Sequence, residues 1–313
     1  MRKEAGCGGS VLRVSIPERP PPPARPTLRV GVVGAGRVGA VLGAALRGAG
    51  HDVVAASAVS EASLDRAELL LPGVPVRPVP DVVADSQLVL LAVPDDALTD
   101  LVAGLHATGA WRPGQLVAHT SGRHGLAPFA PVLGEVLPMA IHPAMTFTGT
   151  SVDLARLAEC CFGITAPEEM RPVAEALVVE MGGEPVWVPE DARGRYHAAL
   201  AHGSNHLVTL VAQAMEVLRS AGIDPADRVL RPLLQASLDN ALSSGDGALT
   251  GPVARGDAGT VAAHLAELAD LPQDIRPAYR AQARATALRA ARSGRLRADA
   301  AETILTTLDE ENR

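Results

Sequence analysis

The sequence predicts an α/β chain: a doubly wound parallel sheet followed by an all-helical region. Three observations carry that prediction. A glycine-rich turn, Gly34-Ala35-Gly36-Arg37-Val38-Gly39, follows a short apolar strand and opens a helix. From Leu28 to about Pro189, strand-like apolar runs alternate with helical periodicity. Beyond Pro189 the strand signal stops and only helical stretches follow.

The elements follow in order. After the first strand come a helix over residues 41–50 and a second strand over 52–56. A further strand is expected over 74–79. Residues 87–93 (Q-L-V-L-L-A-V) form a continuous apolar run, typical of a central strand buried on both faces. Pro94-Asp95-Asp96 ends that run and is expected to cap a helix over 97–106. Strands over 116–119, 136–142, Cys161–Thr165 and 185–188 complete the sheet, with a helix over 168–181. Helices are then expected over 193–221, 226–242, 260–268, Ile275–Arg292 and 298–308, separated by breaks containing Gly, Pro and Ser. The resulting organisation is a Pro-rich, disordered leader (1–27), an α/β domain (28–189) and a helical domain (190–313).

Composition narrows the chemistry. With 313 residues and 47% hydrophobic content, the chain can bury two separate cores. A net charge of −7 leaves no electrostatic footprint for nucleic acid or an anionic membrane. No apolar run reaches the roughly 18 residues that a membrane span needs, and a signal-peptide core is missing, so a cytoplasmic protein is expected. Cys7, Cys160 and Cys161 lack metal-ligand spacing and read as reduced core residues. Lys3 is the only lysine and sits in the leader. The folded body therefore has neither a Schiff-base nucleophile nor a lysine general acid. Aromatics make up only 2%, and Phe129, Phe147, Trp187, Tyr196 and Tyr279 are each expected in the core.

The glycine-rich turn has the context that a dinucleotide site requires: a strand before it, a helix after it and a second strand closing the unit. Gly34 permits the tight turn, Gly36 lets the backbone approach a diphosphate, and Gly39 allows helix and strand to pack closely. The diphosphate then meets the free N–H groups at the helix start. The second strand ends in Ser57-Ala58-Val59-Ser60, without the Asp or Glu that usually holds the ribose of NAD. Ser57, Ser60 and nearby Arg37 suit a 2′-phosphate better, so NADP is favoured over NAD. For Ser60, capping the following helix is the preferred reading. Val93 and Pro94, at the next strand end, complete the expected cofactor contacts.

Ligands of such sheets bind at the carboxyl ends of the strands. Two neighbouring strands end in histidine, His119 before Thr120-Ser121-Gly122 and His142 before Pro143-Ala144-Met145. Imidazole suits proton transfer near neutral pH, and no lysine of the folded body competes. The long helix carries His197, His202, Asn205 and His206, with Ala198, Ala201, His202 and Asn205 on one face. His202 and His206 have chelating spacing but no third ligand near them, so no metal is expected. Farther on, Thr250 and Arg255 lie on a loop before Asp257, the expected cap of the next helix. Arg255 reads either as a solvated charge or as a carboxylate clamp.

Gly34 to Gly39, "LAVPDDAL" (91–98), "HTSG" (119–122), "HPAMTF" (142–147), "YHAALAHGSNHLVTL" (196–210) and "ALTGPVARGD" (248–257) together resemble one bacterial family. It comprises Rossmann-like oxidoreductases with a helical C-terminal domain of unknown function. They are similar in plan to pyrroline-5-carboxylate reductase, the 6-phosphogluconate dehydrogenase superfamily and ketopantoate reductases. The resemblance covers about residues 28 to 310. It implies a doubly wound Rossmann sheet binding NADP, a helical domain used for homodimerisation and an active site between the two. Hydroxyacid dehydrogenases of that superfamily place a catalytic lysine four residues before an asparagine. Asn205 matches the asparagine, but Ala201 stands at the lysine position, so their mechanism does not transfer.

The His142-Pro143 pair resembles prephenate dehydrogenases and makes His142 the first choice of proton donor, its activity falling as pH rises through the ordinary histidine value near ~6.5. Ser121 and Asn205 would position the substrate oxygen or nitrogen. His119, His197, His202, Thr250 and Arg255 would contact the rest of a small carboxylate-bearing carbonyl or imine. A branched 2-oxo acid such as ketopantoate is the leading substrate, and an imine of the pyrroline-5-carboxylate type is the alternative. A protein that senses NADP(H) without catalysis is the competing function class.

Overall fold

The computed structural model describes residues 26–310. Almost all of the Pro-rich leader, with Lys3 and Cys7, lies outside them. A seven-stranded sheet runs in the order β2-β1-β3-β4-β5-β6-β7. The strands are β1 (Arg29–Val33), β2 (Asp52–Ser57), β3 (Leu88–Leu91), β4 (Gln115–His119), β5 (Val136–Pro143), β6 (Cys161–Thr165) and β7 (Glu184–Trp187). All neighbouring pairs are parallel except β5 and β6.

Helices cover both faces, which is why the central strands are apolar throughout. On one face α1 (Arg37–Gly48), α2 (Glu61–Leu70) and α6 (Arg171–Glu180) pack over Val30, Val32, Leu88, Met139 and Ile141. On the other, α3 (Val79–Ala84) and α4 (Asp95–Ala107) pack over Val33, Val89, Leu91 and Val117. Alternate residues of β1 thus feed opposite cores, the period-2 rule of a strand.

Several expectations need correction. Residues 74–79 form no strand; they keep one isolated bridge, Ala56 to Val76. Pro75, Pro78 and Pro80 remove the donors that a ladder needs, and Val79 instead opens α3. Strand β6 runs antiparallel to β5; the link, residues 144–160, carries the five-residue α5 (Val152–Arg156) and a 3-10 turn (Leu157–Glu159) in place of the longer helix of a parallel crossover. Cys160 is buried, but Cys161 is exposed rather than in the core. Pro94 is the N-cap of α4 and no side chain caps it; Asp95 and Asp96 lie in the first turn, where they complement the helix dipole.

The chain divides into two compact units between Ala198 and Ala199, inside α7 (Arg193–Ser220). In the second unit α9 (Gly251–Arg255), α10 (Ala258–Glu267), α11 (Ile275–Arg292) and α12 (Ala298–Glu310) bury Val253, Val261, Leu265, Ala287 and Ile304. By contrast, Leu207, Val208 and Leu210 of α7 and Leu233, Leu238 and Leu242 of α8 (Ala226–Ser244) are exposed. No helix among the described residues is long and apolar enough to cross a membrane.

Candidate active site

The three glycines of the turn do different work. Gly34 has φ +92°, and a Cβ there would lie 2.6 Å from the Ala92 carbonyl oxygen. A Cβ on Gly39 would collide with the Gly34 carbonyl and approach Ala92 Cβ to 2.9 Å. Both are therefore required by the fold. Gly36 is not: its φ is −73°, and a Cβ there would meet no protein atom within 4 Å. The N–H groups of Arg37, Val38 and Gly39 precede the first bond of α1, Ala40 N–H to the Gly36 carbonyl at 3.1 Å.

Ser57 braces this turn. It is buried; its Oγ accepts from Gly34 N–H at 2.9 Å and its carbonyl accepts from Ala35 N–H at 2.7 Å. Ser60 caps α2, its Oγ accepting from Ser63 N–H. Val93 flanks the turn, with Cγ1 3.4 Å from the Gly34 Cβ position, and Pro94 is exposed beside it.

At the next strand end, His119 is fully buried and stacks on Phe129. Its Nδ1 accepts from Ser121 N–H at 3.2 Å, which leaves Nε2–H to donate to the Gly125 carbonyl at 2.7 Å. Burial pushes its pKa down to about 4, so the ring is neutral. Both nitrogens are committed, and His119 holds the 119–125 loop. Ser121 is buried as well, and its Oγ accepts from His124 N–H at 3.1 Å.

His142 behaves differently. It ends β5 half-buried, with Nδ1 2.9 Å from the Tyr196 hydroxyl on the first turns of α7. The His197 ring stands edge-on to it at a centroid distance of 6.2 Å. Both imidazoles lie against Gly122, where a Cβ would come within 2.7 Å of His197 and 2.8 Å of His142. Tyr196 rests on Gly163 of β6, whose bare Cα admits the phenol; a Cβ there would sit 2.6 Å from the hydroxyl. The antiparallel register pairs His142 with Gly163 and so brings the two together.

Arg193 ties the cluster down. The guanidinium is buried and donates to Thr165 Oγ1 (2.7 Å) and to the carbonyls of Gly163 (3.0 Å), Ala140 (3.1 Å) and Ser121 (3.4 Å). Burial lowers its pKa to about 10, so it stays charged at neutral pH. Burial, then the charge of Arg193 and that of His197, push His142 down to about 4. Burial raises the Tyr196 pKa, opposed by the Arg193 charge and by a hydrogen bond from the Gly163 backbone. At neutral pH the cluster therefore holds a neutral imidazole beside a protonated phenol, under one fixed positive charge.

Sequence reasoning missed Tyr196 and Arg193. The available signal was scarcity: Tyr196 is one of two tyrosines in the chain and directly precedes His197. The remaining expected residues belong to the second unit. Asn205, His202, Thr250 and Arg255 are all exposed, and His202 meets His206 Nδ1 to Nδ1 at 2.8 Å. Asp257 caps α10 as expected, accepting from Thr260 N–H at 3.1 Å. Among the described residues no group of three metal-ligating side chains occurs.

Residues 17–143 match the model of a Rossmann-like domain, and residues 160–286 match a domain of unknown function, DUF2520. No curated protein sequence shows a significant match. Among solved structures, the chain is similar to a candidate NADP oxidoreductase from Bacteroides fragilis (23% identity, TM-score 0.70, covering 83% of this chain and 98% of that one). A protein from Thermotoga maritima shares 20% identity at a TM-score of 0.65 over 83% and 99% of the two chains. An imine reductase from Myxococcus stipitatus in complex with NADP+ shares 21% identity at a TM-score of 0.61 over 90% and 99%. These likenesses concern the fold.

Proposed function

We propose that the protein is an NADP-dependent oxidoreductase acting on a small carboxylate-bearing carbonyl or imine. The observation that carries this reading is Gly36, a glycine that the fold does not need, placed where a diphosphate must approach the backbone. Gly36, Arg37, Val38 and Gly39 would hold the diphosphate, flanked by Val93 and Pro94. When bound, the reduced nicotinamide supplies the hydride. A solved relative in complex with NADP+, the imine reductase, supports the choice of cofactor.

The chain's own residues supply the proton. With Nδ1–H of neutral His142 donating to the Tyr196 oxygen, the phenol O–H is free to donate to the substrate oxygen or nitrogen. Arg193, His142 and the Gly163 backbone then stabilise the phenolate left behind. Tyr196 thus replaces His142 as the acid, because an imidazole titrating near 4 carries no spare proton at neutral pH. Ketopantoate represents the 2-oxo acids and pyrroline-5-carboxylate the cyclic imines; both present an electrophilic carbon beside a heteroatom that needs a proton.

Two variants test the reading. Gly36→Ala should cost at most about 1 kcal/mol of stability, as the N-cap of α1, and weaken NADPH binding at least about tenfold by putting a Cβ where the diphosphate approaches. Gly39→Ala should cost about 1–3 kcal/mol of stability by overpacking. NADPH affinity untouched by Gly36→Ala would overturn the cofactor site. Loss of NADPH absorbance with a panel of 2-oxo acids and cyclic imines then identifies the substrate, while binding without turnover would favour the sensing alternative.

The exposed apolar side chains of α7 and α8 support a homodimer through the second unit. Light scattering at micromolar concentration should give twice the chain mass, and a monomer would contradict it. The free thiols Cys160 and Cys161 fit a cytoplasmic location.

A further inference from the structure

If Ser57 and Ser60 are both engaged in structural bonds, the charge that meets a 2′-phosphate must come from elsewhere. Two arginines are placed for it. Arg37 opens α1 beside the glycine-rich turn, and Arg66 projects from α2, the helix that follows the end of β2. Their side chains meet over Gly149: from the position of a Gly149 Cβ, Arg66 Nε is 2.7 Å away and Arg37 Cγ 3.1 Å. Gly149 has φ +79°, and its bend is fixed from beneath by the buried Asp153. That carboxylate accepts from Thr148 N–H and Gly149 N–H, both at 2.8 Å, and from Thr148 Oγ1 at 3.0 Å.

The pair lacks a counter-charge. Among the described residues neither Arg37 nor Arg66 makes an ion pair or a side-chain hydrogen bond, whereas Arg77, Arg123, Arg156 and Arg171 of the same unit all pair with carboxylates. Neither has an acid three or four residues away on its own helix. Two arginine side chains that approach the same bend without a carboxylate partner suit an anion, and the guanidinium fork is the side chain best matched to phosphate.

We propose that Arg66, together with Arg37, clamps the 2′-phosphate of NADP(H) and thereby rejects NAD(H). The inference rests on the cofactor reading above and adds Arg66 as its selectivity residue. Arg66 is half-buried, and its side chain makes no hydrogen bond or ion pair among the described residues, so its removal leaves the fold intact.

The test is a fluorescence titration of the full chain with NADPH and NADH, for wild type, Arg66→Ala and, as a control, Arg47→Ala. Arg47 lies in the last turn of α1 and donates to the Pro72 carbonyl. Arg66→Ala should weaken NADPH about 10- to 100-fold, the worth of a charge-assisted phosphate contact. NADH should move less than about twofold, and Arg47→Ala should change neither. Competition by 2′,5′-ADP, but not by 5′-AMP, should be lost in parallel. Should Arg66→Ala melt early, Arg66→Gln keeps the aliphatic stem and gives the same comparison. Equal losses for NADPH and NADH would place Arg66 on the diphosphate and overturn the assignment, as would no loss for either. Wild-type protein that binds both cofactors equally overturns the clamp alone, whereas wild-type protein that binds neither removes the cofactor reading as well.

Discussion

Tyr196→Phe is expected to lower kcat on an identified substrate by about 10²- to 10⁴-fold, the usual worth of a general acid, while NADPH affinity stays the same. Phenylalanine keeps the ring that rests on Gly163 and loses only the hydroxyl that meets His142 Nδ1 at 2.9 Å. His142→Ala should cost less, about 10- to 100-fold, because it removes one hydrogen bond to a developing phenolate. The pH dependence separates the two residues. His142 titrates at about 4, so no inflection should appear near the ordinary histidine value of ~6.5. Tyr196 titrates above its ordinary range, so the rate should stay level through neutral pH and fall only on the alkaline side, as the phenol is lost. Full turnover by Tyr196→Phe, with an inflection near ~6.5, would return the acid role to a histidine.

Arg193→Met should be the most destabilising single change in the first unit. Methionine fills much of the volume but leaves the carbonyls of Ser121, Ala140 and Gly163 and the Thr165 hydroxyl without their donor. Each unsatisfied buried group costs about 1–3 kcal/mol, so a total on the order of 3–5 kcal/mol is expected after relaxation. For a unit of this size that corresponds to a fall in Tm of roughly 6–20 °C. The same substitution removes the charge that helps to depress His142, so the His142 imidazole resonances should titrate at higher pH than in wild type. A Tm within a degree of wild type would show that the guanidinium is dispensable. Arg193→Lys should recover the charge but not the stability, because one ammonium cannot span four acceptors.

Local pattern and tertiary direction were legible to different degrees. The strand-turn-helix around Gly34 to Gly39 was readable because Gly34 and Gly39 answer local demands, and β3 because a short unbroken apolar run stopped by Pro94 suits a strand buried on both faces. The strand expected over 74–79 failed where proline chemistry outweighs β-propensity. The antiparallel β6 was missed because direction is set by how the connection packs, not by the pattern of the strand itself. His119 and His142 look alike in sequence, since both end core strands before a polar turn. Only the hydrogen bonds separate them: one ring is sealed between Ser121 N–H and the Gly125 carbonyl, while the other faces Tyr196. Tyr196 and Arg193 escaped for a related reason. Their roles exist only once the register of β5 and β6 has set Gly163 opposite His142.

The sealed imidazole of His119 also governs how the first unit responds to acid. In the unfolded chain it binds a proton at an ordinary pKa near ~6.5, but in the folded chain only at about 4. Between those values the unfolded state holds a proton that the native state refuses, so stability is complete above about pH 6.5 and drains away as pH falls toward 4. The gap is worth roughly 3 kcal/mol for His119 alone, and the depressed His142 acts in the same direction. A residue that fastens a loop at neutral pH thus makes mild acid a denaturant for this sheet.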